Sequence, residues 1–250
     1  MTATDITGTR GAEMFARYAY APNQLGYCGP HDSRLLTGSR EEIEKAARQF
    51  TGAWPYLEVL SRMTGIPDPL DHRLVDSYWL GGGIGSELDP RTFTTELLDI
   101  IAPQAGHYWN HLDDDLVDEA APDHHFHVFG VYPWSRLLGK GADEQPLSIL
   151  DNCRISWGNV VSTDDTTAVI LSARLRWSSS VLSLSAPEEL TIETGAGAAR
   201  SDIAIEPGDL VALHWGQVCD RLTPEQVARL KDSTARQLHA TSRRLSSSSS

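Results

Sequence analysis

A single cysteine and a single histidine occupy the ends of two stretches that have the composition of β-strands. Cys153 opens the segment 151–161, and His214 lies at the far end of the segment 207–218, which a Pro-Gly turn introduces. A cysteine thiolate is a nucleophile and a soft metal ligand, and an imidazole can bind a metal or accept a proton. These two residues are therefore the candidate site.

Two interpretations of the pair stay open besides metal binding. In the first, Cys153 packs as a small hydrophobic residue at the start of a strand and His214 caps a strand end, so the domain only binds other proteins. In the second, Cys153 is the nucleophile of a cysteine-dependent enzyme and His214 is its base. The sequence offers no obvious third catalytic member and no oxyanion loop. We therefore expect a protein that is not an enzyme.

The segments around the pair predict a small β-domain. From residue 150, β-type runs alternate with turn residues, and these runs span 155–161, 166–175, 180–184, 190–194 and 210–215. Thr223, Pro224 and Gln226 then provide the N-cap, the first-turn proline and the capping-box glutamine of a helix. These runs predict a small β-barrel or sandwich and a C-terminal helix over 150–245, with a disordered tail over 246–250.

The predicted barrel sets the expected geometry of the site. The first and last strands of a small closed barrel can be neighbours, so a long sequence separation is no obstacle to contact. Cys153 and His214 can then lie close together at one end of a small closed barrel. If the pair is functional, both side chains should be partly accessible to solvent, because a buried apolar setting would raise the pKa of the thiol.

The first half of the chain predicts helices. Ser39 and Glu42 form a capping box, and apolar residues recur at helical spacing over 39–52, 54–63, 71–80 and 89–101, with a shorter helix over 14–20. The polar, glycine-containing segment 139–146 is the predicted linker. The fold class is therefore α+β, with an all-α domain over 1–145 in front of the β-domain.

Three other groups of residues could suggest ligand sites, and we reject each. The alternating segment 124–134 predicts a strand, and we expect its histidines to be satisfied residues near the domain boundary. The glycine run 81–85 follows a helix and lacks the lysine of a phosphate loop. The remaining candidates are His107, His111 and Asp115, which share one helical face, and Cys28, His31 and His125. Neither group has the spacing of a four-ligand zinc site.

Composition narrows the partners and the compartment. The net charge is −13 and no run of Lys and Arg occurs, which argues against nucleic acid or an anionic membrane as a partner. A signal sequence and a spanning apolar segment are both missing from the 250 residues, so we expect a cytoplasmic protein with protein partners. The three cysteines are too few and too scattered for a disulfide framework, and we expect Cys219 to be a core residue.

The C-terminal third resembles a known family, the HypC/HupF chaperones of NiFe-hydrogenase maturation, which have an OB-like barrel followed by a helix. That family opens with a cysteine, three mostly apolar residues, Pro-Gly and a strand of valines, which CRISWGNVV at 153–161 resembles. Its last strand is similar to GDLVALHWGQV at 208–218. The family's matching residues open its first strand and close its last, so the resemblance implies an OB-like barrel with Cys153 and His214 close together at one end. Three features depart from the family: Cys153 lies in mid-chain rather than after the initiator methionine, Trp157 replaces the proline, and residues 190–205 hold an insertion.

The resemblance implies a function for the pair. The Cys153 thiolate, with His214 at the same site, would hold an iron-cyanide-carbonyl fragment transiently, without any permanently bound cofactor. The protein would pass that fragment to a hydrogenase large-subunit precursor or to another maturation protein. The helical domain has no counterpart in those chaperones. We expect it to dock a partner, and Arg154 to favour the Cys153 thiolate by its charge.

Overall fold

The computed structural model describes residues 3–31, 33–104, 114–194 and 203–247. The chain divides into two compact units, Met1–Pro133 and Trp134–Ser250. Within the described residues the first unit is helical, and the second has antiparallel sheets and a C-terminal helix. The mixed α+β class is thus confirmed. The second unit begins before the predicted linker 139–146, and a helix starts inside that linker.

The first unit is built from helices that bury an aromatic core. Its α-helices are α1 Ala3–Gln24, α2 Arg40–Ala47, α3 Trp54–Thr64, α4 His72–Leu80, α5 Pro90–Ile101 and α6 His124–Phe126. A π-helix, His127–Val131, continues α6, and 3-10 turns occupy Gly83–Glu87, Ala102–Gln104 and Asp114–Asp118. A further 3-10 turn, Pro133–Leu137, starts at the last residue of this unit and continues in the second. The predicted Ser39–Glu42 capping box is present at the start of α2.

The longest helix of this unit packs tightly against the segment before α4. A Cβ atom added at Gly11 would lie 1.8 Å from the Leu70 carbonyl oxygen, so only glycine allows this approach. Phe15 and Tyr18, on the same helix, contact the Trp79 ring of α4. Helix α1 is longer than the predicted 14–20, because its first turns carry polar residues without apolar periodicity.

The predicted strand over 124–134 is wrong, since this segment is helical. The Asp123 side chain accepts the Phe126 N–H and starts α6, and the π-helix is closed by a bond from the Tyr132 N–H to the His127 carbonyl. All residues from 124 to 131 are buried. A helix covered on every side has no polar face, so its sequence lacks the 3.6-residue period and can imitate the alternation of a strand.

The second unit begins with a helix and continues with seven described strands. Its elements are α7 Glu144–Cys153, β1 Ser156–Thr163, β2 Thr167–Ser172, β3 Leu175–Ser178, β4 Val181–Leu184, β5 Glu188–Glu193, β6 Leu210–His214, β7 Gln217–Arg221 and α8 Pro224–Ser247. Thr223 and Gln226 cap α8 reciprocally, as predicted. Residues 246 and 247 of the predicted tail are helical, and 248–250 lie outside the described residues.

The described strands form an open sheet, whereas the sequence predicted a closed barrel. Five strands pair in the antiparallel order β5-β2-β1-β6-β7, and β3 and β4 form a separate hairpin. The predicted single strand over 166–175 divides because the Arg174 N–H binds Ser185 Oγ and the Leu175 N–H binds Asp151 Oδ1. These side-chain acceptors take backbone donors out of the strand ladder, so the chain turns away from the sheet.

One face of the five-stranded sheet holds the apolar core of the unit. The core side chains are Val160, Ala168, Ile170, Ile192, Val211 and Leu213. Cys219, on β7, is 1% exposed, as predicted for a core residue. Strand β1 pairs directly with β6, with Ser156 opposite Leu213. The start of β1 and the end of β6 therefore lie at the same end of the sheet.

Candidate functional site

Cys153 is the last residue of a helix, whereas the sequence predicted it at the head of a strand. The Arg154 N–H still donates to the Leu150 carbonyl, 3.0 Å away, and β1 begins three residues after the cysteine, at Ser156. The preceding helix was hidden because it starts inside the predicted linker and buries only a short apolar stretch. Cys153 is thereby placed at the carboxyl end of α7, and its side chain is partly exposed.

A buried ionic network holds the end of α7 in place. Asp151 Oδ1 lies 2.8 Å from a terminal guanidinium nitrogen of Arg154, and its Oδ2 lies 2.7 Å from Nε of Arg174. The Leu175 N–H also donates to Asp151 Oδ1, at 2.9 Å. Arg154 is only 2% exposed, and burial lowers the pKa of its guanidinium against the opposing effect of Asp151. Arg154 also donates to the Ala173 carbonyl, so its hydrogen bonds connect the end of α7 to the segment before β3. These bonds give no support to the expectation that its charge favours the Cys153 thiolate.

A tight turn positions His214 at the end of β6. Trp215 and Gly216 both have positive φ angles, 51° and 73°, and His214 pairs with Gln217 across them. This is the two-residue hairpin whose twist matches antiparallel strands, although a bulky residue at its first position is unusual. The Trp215 N–H donates to the Asn152 carbonyl at 2.9 Å. That bond fastens the turn directly to the last turn of α7.

The turn and the helix end bring the predicted pair together. A ring nitrogen of His214 and Cys153 Sγ lie within 4.8 Å of each other, although 61 residues separate them in sequence. Their solvent access differs. Cys153 is partly exposed, as expected, but His214 is 2% exposed, so the expectation of an accessible histidine is wrong.

The pair has the geometry of two ligands of one soft metal ion. Thiolate sulfur and imidazole nitrogen bind such ions at about 2.0–2.3 Å, which holds the two atoms within roughly 4.5 Å of each other. The separation of at most 4.8 Å places the two atoms close to this range. The carboxyl end of a helix presents carbonyl oxygens rather than N–H donors, so it offers a resting thiolate little stabilisation. A metal ion displaces the thiol proton itself on binding.

Three other residues that the sequence raised as ligands, Cys28, His31 and His125, belong to no group of candidate ligands among the described residues. Burial raises the pKa of the Cys28 thiol to about 12. The Asn23 amide donates to the carbonyls of Cys28 and Pro30, each at 2.8 Å, so this loop is a structural corner. His31 is exposed and His125 is fully buried, and neither joins Cys28 in a group of candidate ligands. His107, His111 and the side chain of Asp115 lie outside the described residues.

The first unit contains a buried histidine cluster that the strand prediction obscured. Tyr78 Oη and His124 Nδ1 are 3.1 Å apart, as expected for a satisfied histidine. The His127 ring lies edge-on to Tyr56 and Tyr132, and its Nδ1 has no hydrogen-bond partner within the described part of the chain. Burial lowers the pKa of His127 to about 3, so the ring is neutral at physiological pH. The histidines of 124–127 were the only signal in the sequence.

Comparisons with known proteins add a family but no function. Residues 7–248 match DUF6390, a family of unknown function, so the match covers both units. No curated protein and no solved structure matches the chain. Within the described residues, no helix has both the length and the apolar character needed to cross a bilayer.

Proposed function

We propose, from the premise that the chain belongs to the DUF6390 family, that this protein is a carrier of a thiophilic metal fragment and not an enzyme. The observation that carries the proposal is the approach of a His214 ring nitrogen to within 4.8 Å of the partly exposed Cys153 Sγ. Thiolate and imidazole together bind soft transition-metal centres. The pair itself is the docking point for the metal.

A carrier differs from a storage site in the coordination positions that it leaves open on the metal. Structural metal sites enclose their ion with four protein ligands, whereas the second unit supplies Cys153 and His214. A metal held by these two residues keeps positions for ligands of its own and for a ligand from a recipient protein. The partial exposure of Cys153 gives a recipient access to the metal on the sulfur side.

The cargo that fits best is an iron-cyanide-carbonyl fragment, delivered in the cytoplasm to a NiFe-hydrogenase large-subunit precursor. This step rests on the resemblance of 153–161 and 208–218 to the HypC/HupF chaperones. The direct pairing of β1 with β6 is consistent with it, since the cysteine precedes one strand and the histidine ends the other. The open sheet and the position of Cys153 on a helix would then be variations on the OB-like plan of those chaperones.

The test is iron analysis with infrared spectroscopy on protein purified without oxygen from cells that make the hydrogenase. We expect iron together with cyanide and carbonyl stretching bands. Cys153→Ser should lose both signals, whereas the matched control Cys28→Ser should keep them, because Cys28 is a buried thiol in a structural corner. Equal iron content in wild type and Cys153→Ser, or iron without the bands, would contradict the proposed cargo.

A protein-interaction module without metal chemistry is the second candidate. The burial of His214 favours it, because a histidine that is 2% exposed can act as a packing residue. In that case Cys153→Ser would leave both partner binding and hydrogenase activity unchanged. The cysteine-dependent enzyme makes a different prediction: Cys153 would react with iodoacetamide at neutral pH much faster than a free thiol, because its thiolate would already be formed.

A further inference from the structure

The second unit contains a cleft whose charge is opposite to that of the whole protein. The cleft has a volume of about 590 Å³ and three basic residues in its lining, Arg136, Lys140 and Arg244. None of the described residues that line it carries a carboxylate. The net charge of the chain is −13. Three cations at one place therefore make a locally positive region on a protein that is negative as a whole.

The basic residues come from separate segments that the fold brings together. Arg136 lies in the 3-10 turn Pro133–Leu137, Lys140 follows it, and Arg244 lies in the last turn of α8. A terminal nitrogen of Arg244 donates to Oγ of the fully buried Ser135 at 3.1 Å, which holds this guanidinium in place. A guanidinium held by a hydrogen bond to a buried side chain distinguishes the cleft from a group of unrestrained surface lysines.

A glycine turn presents Lys140 at the edge of the cleft. Gly139 and Gly141, on either side of it, have φ angles of 80° and 98°, which L-residues rarely adopt. Asp143 Oδ1 accepts the Gly139 N–H at 2.7 Å and shapes this turn from outside the lining. Lys140 itself is exposed.

The remaining wall is aromatic and apolar. Trp177, on β3, is partly exposed, and Leu138 and Leu245 are 4% and 7% exposed beside it. A Cβ atom at Gly139 would lie 3.6 Å from Cζ2 of Trp177, so the turn packs against the indole edge. The cleft thus combines a cationic side with a flat apolar surface.

We propose that this cleft binds a small phosphate ester that carries a planar ring, for which a nucleoside monophosphate is the simplest probe. Arginine and lysine side chains bind phosphate oxygens through charge-assisted hydrogen bonds, and three cations suit a dianion better than a single carboxylate. The indole of Trp177 offers a face on which a ring can stack. The volume lies within the range of about 300–1,000 Å³ that small-molecule sites occupy. This site is independent of the proposed metal function.

Calorimetric titration with AMP, inorganic phosphate and adenosine tests the proposal on the full-length protein. We expect AMP to bind more tightly than phosphate and adenosine not to bind measurably, because charge and ring both contribute. Lys140→Gln should weaken AMP binding roughly tenfold, the size expected for one charge-assisted contact. Arg244→Gln should weaken it at least as much, and Lys140→Gln keeps the test valid if loss of the Arg244–Ser135 bond impairs folding.

Two matched variants decide between specific binding and general attraction. Arg243 precedes Arg244 on α8 but is exposed and outside the cleft lining, so Arg243→Gln should leave AMP affinity unchanged. Trp177→Leu should remove the preference for AMP over phosphate. Absence of AMP binding at millimolar concentration, or an equal loss in Arg243→Gln, would overturn the site. Equal affinity of wild type for AMP and phosphate would overturn the stacking role of Trp177.

Discussion

Each unit contains a buried polar cluster, and the polar groups of the two clusters are satisfied differently. In the first unit, Tyr56 and His127 lie among aromatic rings, and neither Tyr56 Oη nor His127 Nδ1 has a hydrogen-bond partner within the described residues. In the second unit, Asp151 and Arg154 are ions, and each makes several short polar contacts. A histidine that is buried as a neutral ring resists protonation, so it makes stability depend on pH. A buried ion pair instead makes stability depend on the presence of both charged partners.

The location of the ionic network gives it a role beyond stability. Asp151 lies in the last turn of α7, two residues before Cys153. Its carboxylate contacts Arg174 and the Leu175 N–H, and so joins this turn to the start of β3. The helix end that carries the thiol is therefore held by a buried ion pair and by the hydrogen bonds around it.

The largest expected effect is the loss of the carboxylate at the centre of this network. Asp151→Ala leaves Arg154 buried without its counter-ion, and breaking such a pair costs about 3–5 kcal/mol of the free energy of unfolding. Urea denaturation measures the change. The surface variant Glu188→Ala, which removes the exposed pair with Arg176, should cost less than about 1 kcal/mol.

A double variant separates the charge from the packing. Asp151→Leu combined with Arg154→Met removes both buried ions, and should recover much of the stability that Asp151→Ala loses. Arg174 keeps access to water, since its side chain is 33% exposed. A loss below about 1 kcal/mol for Asp151→Ala would contradict the view that Asp151 and Arg154 form a buried ion pair.

The second prediction concerns the neutral histidine of the first unit. The pKa of His127 is about 3 in the folded protein, against 6.5 for an unperturbed histidine. Between these values the unfolded chain binds the extra proton, so the contribution of His127 to stability levels off above pH 6.5 and falls as the pH decreases toward 3. The contribution of one such group is at most about 1.4 kcal/mol per pH unit.

Unfolding measured from pH 7.5 to 4.5 tests this dependence. His127→Phe should reduce the slope whatever its effect on stability at pH 7. That effect itself should be a loss, because Gly52 leaves little room for a larger ring: a Cβ there would lie 2.6 Å from His127 Nε2. His239→Gln, at an exposed position on α8, is the control and should leave the slope unchanged. An unaltered slope in His127→Phe would refute the assignment.

The smallest expected effect is at two glycines that have nearly equal φ angles. Gly65 ends α3 with a φ of 70° and Gly216 lies in the β6–β7 turn with a φ of 73°, and a Cβ atom would meet no atom within 4 Å at either. Alanine at each should destabilise by about 1 kcal/mol, through backbone strain alone. Only Gly216→Ala should also change the alkylation rate of Cys153, because its turn positions His214 and binds Asn152. Equal rates in both variants would show that the turn does not support the site.

The sequence by itself determined the local elements and the expectation that Cys153 and His214 are neighbours. The capping boxes at Ser39 and Thr223 and the change from helical to strand character depend on neighbouring residues, so these predictions were correct. The proximity of Cys153 and His214 was expected because the resemblance matches them to residues that open one strand and end another, and the segment of the histidine is indeed a strand that borders β1.

Tertiary structure alone decided what depends on burial from outside a segment. The stretch 124–131 is covered on all sides, so its helix has no periodic signal, and the break between β2 and β3 depends on acceptors supplied by Asp151 and Ser185. The direction of the Arg154 guanidinium and the burial of His214 are likewise set by residues distant in sequence. Periodicity records how a segment meets solvent, and it carries no information about which distant atoms satisfy its polar groups.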